Sequence, residues 1–296
     1  MIYPVNTDQV PDVLAANLQG YSWSFSHFFL WRPQSVLFDC GEGVGIRLDA
    51  HVFRVETLAI THAHSDHCRG IEGFLEARAG LRGDKRKPLR IVYPRESSAM
   101  GPWIERARAI CQSRDLGDVE FVAIMPGQSL PLANDRILKA QEVEHEPGEQ
   151  CLCYRIGRHR RRIKAEFRHL SAPQIKAYAA SGRRAEIEER AFECEFVYSG
   201  DARRIPVEFC QDAHVLIHES CFLAAEDSDP EKGIHANMEE VLRVAREAEV
   251  RCLVFFHVSR RYEEAPLLSS ARALVQQSGI VCPVMLIRGG YNLPTD

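Results

Sequence analysis

Short apolar, β-branched runs recur along the chain and predict strands: FFLW (28–31), VLFDC (36–40), TLAIT (57–61), LRIVY (89–93), VEFVAI (119–124), ILKAQEVEH (137–145), CLCYRI (151–156), FVYSG (196–200), HVLIHE (214–219), CLVFFHV (252–258) and PVMLIR (283–288). Between some of them lie stretches whose apolar residues recur three and four apart, at 70–81, 97–112, 237–249 and 265–277, and these predict helices. The early strands follow one another in hairpin-like succession, whereas helices alternate with strands late in the chain. That order suits sheets covered by helices, an α/β sandwich, better than an all-β barrel.

One segment breaks the rhythm. From Gly157 to Glu193 the chain is first basic, then helical in period, then acidic. It lies between two strand candidates, so it is expected to be an inserted arm on a single domain spanning 1–296. No internal repeat, low-complexity tract or long Pro/Gly/Ser linker divides the chain.

Composition narrows the classes. The 296 residues carry 37 Lys and Arg against 41 Asp and Glu, a formal net charge of -4, and 45% are hydrophobic. This is a folded chain's balance, and it excludes a uniformly basic nucleic-acid binder. No apolar run approaches the roughly 20 residues that cross a bilayer. The start carries Asp8 and Asp12 where a signal peptide needs positive charge, so a cytoplasmic setting without membrane contact is expected. The ten cysteines are scattered without a CxxC pair, which predicts buried reduced thiols.

The densest chemistry is Thr61-His62-Ala63-His64-Ser65-Asp66-His67, directly after the strand TLAIT. A loop leaving a strand splays alternate side chains, so His62 and His64 are expected to face one metal while Asp66 and His67 face a neighbour. Imidazoles with a carboxylate suit zinc or a similar divalent ion, and the same ligands accept manganese or iron. Further donors sit at strand ends: His145, Asp201 and His257. Asp201 is the candidate bridge between two divalent ions, which a carboxylate typically holds about 3.5–4 Å apart. His27, His51, His159, His169 and His214 have no motif around them and receive no role.

HxHxDH after a strand, with His145, Asp201 and His257 in that order, resembles the metallo-β-lactamase superfamily. Neighbouring motifs narrow the resemblance to the ribonuclease Z family: LFDCGEG (37–43), His145 followed by CLCYRI, YSGDAR (198–203), HESCF (218–222), His235 before a helix, and HVSRRY (257–262). The chain departs from that pattern at Cys153, Ala202, Ser220 and Cys221. It also lacks the Gly-Pro tip of the family's long arm, so 157–193 is closer to the shorter, basic exosite of a variant branch.

The resemblance implies a four-layered αββα sandwich with its metals at one edge of the sheets. It also implies an endoribonuclease that removes the 3′ trailer of precursor tRNA by in-line attack of a metal-bridging hydroxide, leaving a 3′-hydroxyl. Asp66 would be ligand and general base; Glu219 would orient His235 as the proton donor to the leaving oxygen, or else support a metal ligand. His218 is expected on the opposite face of its strand. A homodimer in which one subunit's arm presents tRNA to the other's site is also implied, and DNA is not an expected partner.

In the arm, Arg158, Arg160, Arg161, Arg162 and Lys164 are the candidate RNA contacts, because arginines pair bidentately with phosphates and folded RNA is gripped by backbone and shape. On this reading the charge of -4 averages a basic patch at 155–164 and an acidic one at 186–195. The loop 82–90 is a second basic candidate, and Arg260 and Arg261 are candidate phosphate contacts. The alternative is a hydrolase of the same fold acting on a small ester, cyclic nucleotide or lactam, its arm a lid or oligomer contact. A catalytically idle RNA- or protein-binding member is disfavoured by the intact ligand set.

Overall fold

In the computed structural model, which describes residues 1–80, 87–225 and 234–293, the apolar runs build two sheets. Residues 82–86 of the basic loop 82–90 lie outside the described residues. The strands are β1 (Ile2–Pro4), β2 (Leu18–Trp23), β3 (Ser26–Trp31), β4 (Val36–Phe38), β5 (Thr57–Ala59), β6 (Leu89–Pro94), β7 (Val119–Ile124), β8 (Ser129–Pro131), β9 (Ile137–Val143), β10 (Cys151–Ile163), β11 (Glu188–Tyr198), β12 (Val215–Glu219), β13 (Leu253–Phe256), β14 (Val284–Ile287) and β15 (Gly289–Tyr291). One sheet has the order β1-β14-β13-β12-β11-β10-β9-β8 and the other β15-β2-β3-β4-β5-β6-β7. The helices are α1 (Asp12–Asn17), α2 (Val44–Arg47), α3 (Ser65–Cys68), α4 (Ile71–Ala79), α5 (Gly101–Ser113), α6 (Ala172–Ala180), α7 (Arg184–Ile187), α8 (Val207–Cys210), α9 (Met238–Glu247) and α10 (Glu264–Ser278).

Strand parity creates the layers. On β12, Val215 and Ile217 point into the core between the sheets while Leu216 points to the other face. On β13, Val254 and Phe256 point inward and Leu253 and Phe255 outward. Both faces of such strands are covered, which is why they read as continuous apolar runs. α8, α9 and α10 cover the larger sheet, their face formed by Met238, Val241, Leu242, Leu267, Ala271 and Val275. α2, α4 and α5 cover the smaller one through Val44, Phe74, Leu75 and Ile104. The result is the expected αββα order of layers.

Aromatic rings fill the space between the sheets. Phe196 stacks on Trp31 with centroids 4.5 Å apart and on Phe38 at 5.2 Å, and Phe256 packs against Phe29 and Tyr198, each at 5.3 Å. β1, β8 and β15 have three residues each, too short for a periodicity to register.

The segment 157–193 is built differently from the expectation. β10 and β11 do not stop where the apolar runs stop. They continue as a two-stranded ribbon from Gly157 paired with Cys194 to Ile163 paired with Glu188, carrying α6 and α7 at the tip. The basic and acidic runs are therefore facing strands, not separate patches. Arg158 and Arg160 donate to Glu193 at 2.8 and 3.1 Å, Arg162 donates to Glu189 at 2.8 Å, and Lys164 Nζ donates to the Glu186 carbonyl at 2.7 Å. Antiparallel register turns a separation of about thirty positions in sequence into direct neutralisation, which one-dimensional charge counting cannot see. Arg161 instead faces Arg190 across the ribbon, and both are exposed.

Phe196→Ala removes the ring that packs the larger sheet onto Trp31 and Phe38 of the smaller one. It is expected to lower unfolding free energy by about 3–5 kcal/mol, read as a shifted midpoint in urea denaturation at unchanged slope.

Candidate metal centre

β9, β11, β12 and β13 run in one direction, so His145, Asp201, Glu219 and His257 follow at the same edge of the larger sheet. β5 of the smaller sheet ends at that edge too, and the loop Ile60–His64 and α3 bring His62, His64, Asp66 and His67 to it. Two constraints aim this loop. Gly200 has φ +57, and a Cβ there would stand 2.6 Å from the Thr61 side chain. Gly41, in the turn after β4, lies against the backbone of His27 and Asp66 so closely that a side chain would displace one of them.

Asp39, wholly buried, is the anchor beneath. It accepts from the Thr61 amide at 2.8 Å, the Thr61 hydroxyl at 2.9 Å, the Tyr198 hydroxyl at 2.8 Å and His67 Nδ1 at 2.7 Å. A carboxylate can only accept, so His67 carries its proton on Nδ1 and turns the Nε2 lone pair toward the cluster. The same logic fixes two more rings. His145 Nδ1 donates to the Ile234 carbonyl at 3.0 Å. The Thr61 hydroxyl, its own proton given to Asp39, accepts from His62 Nδ1 at 3.0 Å. In each ring Nε2 is left facing inward.

The metal-loop and strand-end donors fall into two groups with Asp201 between them, and His235 makes two smaller groups beside them, with His145 and Glu219 and with Cys221 and His257. His62, His64, His145 and Asp201 form one, all within 4.8 Å of one another. Asp66, His67 and His257 form the second together with His27. Asp201 reaches both: its carboxylate is 4.0 Å from His62 and 3.8 Å from His145, and 3.3 Å from His67 and 3.2 Å from His257. His64 presents Nδ1, 3.2 Å from His145 Nε2, because its Nε2 faces Glu146 at 3.3 Å. His257 is turned by a left-handed backbone, φ +56, at the end of β13.

Electrostatics agree with a cation-binding pair of sites. His62 Nε2, His67 Nε2 and Asp201 Oδ1 are buried without a hydrogen-bond partner among the described residues, a state that costs free energy unless something binds them. Burial opposes ionisation of Asp201, but His257 and His67 hold it well below the usual carboxylate range. Burial likewise opposes charge on His67 and His257, and Asp201 overrides it and lifts both well above the imidazole range. His62 and His27 are pushed well below it, chiefly by burial. Two carboxylates among imidazoles that share protons in this way fit a pair of divalent ions, to which the donors bind deprotonated.

Beside the cluster, Glu219 is fully buried, on the same strand parity as Val215 and Ile217, and His218 faces the other way as expected. Glu219 accepts from His235 Nδ1 at 2.9 Å and from the amides of Ala202 and Cys221. Burial lowers the pKa of His235 and Glu219 more than compensates, so the net shift is upward. Arg261 stacks on Phe222, centroid distance 5.0 Å, while Arg260 is exposed in a cavity lined by Ser22, His27 and His257. All ten cysteines are unpaired, and only Cys111 and Cys221 are less than buried.

Sequence reasoning missed Asp39, Glu146 and His27. Asp39 lay inside LFDCGEG, where an acidic residue ending an apolar strand was the available signal. His27 sits in a strand that reads only as apolar, and no local motif marks it.

Two packed mixed sheets with a histidine-aspartate cluster at one edge define a hydrolase of metallo-β-lactamase fold. Solved structures of that architecture superpose on the chain: the metallo-β-lactamase fold protein YhfI from Bacillus subtilis, with a TM-score of 0.60 and 19% identity over 93% of this chain and 97% of that one, and the short form of human tRNase Z, with a TM-score of 0.53 and 18% identity over 83% and 93%. No family model matches the sequence. Curated relatives do: ribonuclease Z of Gemmatimonas aurantiaca is 30% identical over 275 residues, 86% of this chain and 84% of the relative, and ribonuclease Z of Methanosarcina mazei is 28% identical over 285 residues, 88% and 90%. The chain belongs to the ribonuclease Z family.

Asp39→Ala strands the Thr61 amide, the Tyr198 hydroxyl and His67 Nδ1 in the interior. At about 1–3 kcal/mol for each unsatisfied group, it is expected to cost at least about 3 kcal/mol, whereas Arg243→Ala on the exposed side of α9 stays within about 0.5 kcal/mol. Chemical denaturation of the two variants checks the contrast.

Proposed function

We propose that the chain is an endoribonuclease that removes the 3′ trailer of precursor tRNA and leaves a 3′-hydroxyl. Its two divalent ions are held by His62, His64 and His145 on one side and Asp66, His67 and His257 on the other, with Asp201 shared. The observation that carries the reading is the buried Glu219–His235 pair, 2.9 Å apart, set beside the donor cluster in a chain of the ribonuclease Z family. Zinc is the ion this imidazole-rich set favours, with manganese and iron accepted by the same donors.

Divalent ions held there neutralise charge on a phosphodiester and lower the pKa of water toward neutrality. The chain's own groups do the rest. Asp66, partly exposed beside His257, is positioned to take a proton from the attacking water. His235 has its Nδ1 proton committed to Glu219, so Nε2 is the nitrogen that gives a proton to the leaving 3′-oxygen. Among the described residues the only side chain hydrogen-bonded to the Glu219 carboxylate is His235, its other donors being the amides of Ala202 and Cys221, which supports its pairing with His235.

The arm fits this substrate only in trans. β10 starts beside the cluster and leaves it, covering about 40 Å by Ile163 at roughly 3.3 Å per residue. The ribbon emerges next to His214 and Arg251, at the opposite end of the sheet from the site. An arm so placed cannot cover its own site, which supports a homodimer in which it grips tRNA for the partner's. With Arg158, Arg160, Arg162 and Lys164 engaged by carboxylates or carbonyls, Arg161 is the candidate most open to phosphate. A cytoplasmic setting belongs to the same reading and suits ten unpaired thiols.

A precursor tRNA transcript tests the activity. Wild type is expected to release the trailer and a 3′-hydroxyl end. His235→Ala is expected to lose about 10²–10⁴-fold in turnover at unchanged metal content, and loss of metal would make His235 a ligand instead. A variant with Arg160, Arg161 and Arg162 all changed to Ala is expected to cut the transcript poorly and a small phosphodiester normally. Equal cutting of the transcript, with the small diester the better substrate for both, would return the chain to the small-substrate reading.

A further inference from the structure

His27 is the one member of the donor cluster that neither the metal-loop motif nor the strand-end residues account for. It enters from β3, on the sheet opposite His145, Asp201 and His257, and is 2% exposed. Its Nε2 lies 3.7 Å from Asp66 Oδ2. Its ring is 4.4 Å from that of His257 and 5.1 Å from that of His67. The donor atoms of His27, Asp66, His67 and His257 all lie within 4.8 Å of one another, close to the span of one coordination sphere with bonds of about 2.0–2.2 Å.

The other ring nitrogen has a partner of the right kind. Nδ1 is 3.0 Å from Ser22 Oγ, and the same oxygen accepts the His257 amide at 3.0 Å. A hydroxyl oxygen has two acceptor sites, so Ser22 accommodates the tautomer in which His27 Nδ1 carries the proton, alongside the His257 amide. With Nδ1 donating, Nε2 carries a lone pair and faces Asp66. This is the arrangement in which histidines bind metals: one nitrogen on the ion and the other N–H held by the protein, orienting the ring. Gly41 lies against the His27 amide, so the backbone that places this ring is tied to the turn below the metal loop.

We propose that His27 is an eighth metal ligand, donating Nε2 to the ion held by Asp66, His67 and His257, an assignment that rests on the two-ion reading above. The two ions are then unequal. One has four protein donors, His62, His64, His145 and Asp201; the other has five, His27, Asp66, His67, His257 and the shared Asp201. The site with His27 would have the fuller set of protein donors.

Zinc competition against a chromophoric chelator, with wild type, His27→Gln and Ser22→Ala, tests this without reference to turnover. Wild type is expected to take up two ions per chain. His27→Gln is expected to weaken one of them by at least the roughly 10–100-fold that loss of a supporting partner alone costs and to leave the other unchanged, with Ser22→Ala weakening the same ion less. The cobalt-substituted variant should show altered visible bands, since one ion loses a nitrogen donor. A measurement on the unaltered protein covers the case in which His27→Gln does not fold: the ¹⁵N resonance of His27 Nε2 is expected to shift on adding zinc. Two ions with unchanged affinities in a folded His27→Gln protein, or an unmoved Nε2 resonance in zinc-loaded wild type, would overturn the assignment while leaving the two-ion centre standing. Uptake of fewer than two ions by wild type would remove the centre itself and His27's place in it.

Discussion

One buried carboxylate ties the fold to the site. Asp39 ends β4 in a left-handed conformation, φ +56, and its two oxygens receive the Thr61 amide and hydroxyl, the Tyr198 hydroxyl and the His67 ring. Tyr198 belongs to the aromatic layer between the sheets, Thr61 begins the loop of histidines, and His67 is a donor in the cluster. A charge buried this deeply is tolerated only because every lone pair is used. In return the loop is tied to both sheets, and the direction of at least one imidazole lone pair is decided before any ion arrives.

Preorganisation of this kind extends outward. Thr61 passes its proton to Asp39 and so becomes an acceptor for His62; the Ile234 carbonyl accepts from His145, and the Ser22 hydroxyl holds His27 at Nδ1. Each ring is held at one nitrogen and open at the other. Glu219 does the converse for His235, holding Nδ1 while two backbone amides stabilise the carboxylate. Ring orientation is thereby separated from cation binding, and the proton-handling pair stands directly beside the donors, the His235 ring 5.0 Å from those of His145 and His257.

The strands and the metal loop were legible in the sequence because their signals are local. A strand buried on both faces reads as an apolar run, and HxHxDH compresses four donors into six residues. His145, Asp201 and His257 were legible because parallel strands bring their ends to one edge. What was not legible depends on pairing across distance. His27 resembles any other residue of an apolar strand until β3 is placed opposite Asp66. The basic run at 155–164 reads as a patch until β11 lays Glu193 and Glu189 beside it, after which Arg158, Arg160 and Arg162 are paired with carboxylates. The net charge of -4 is thus not the sum of two segregated surfaces, and an RNA substrate rests more on the edge cluster and on a few open arginines than on the arm's composition.

The proposed chemistry requires that the two donor groups on either side of Asp201 each hold an ion. Anomalous diffraction from crystals grown with zinc measures this directly. Two peaks per chain are predicted, one on each side of the Asp201 carboxylate and about 3.5–4 Å apart. A single peak, or zinc bound only elsewhere on the chain, would contradict it.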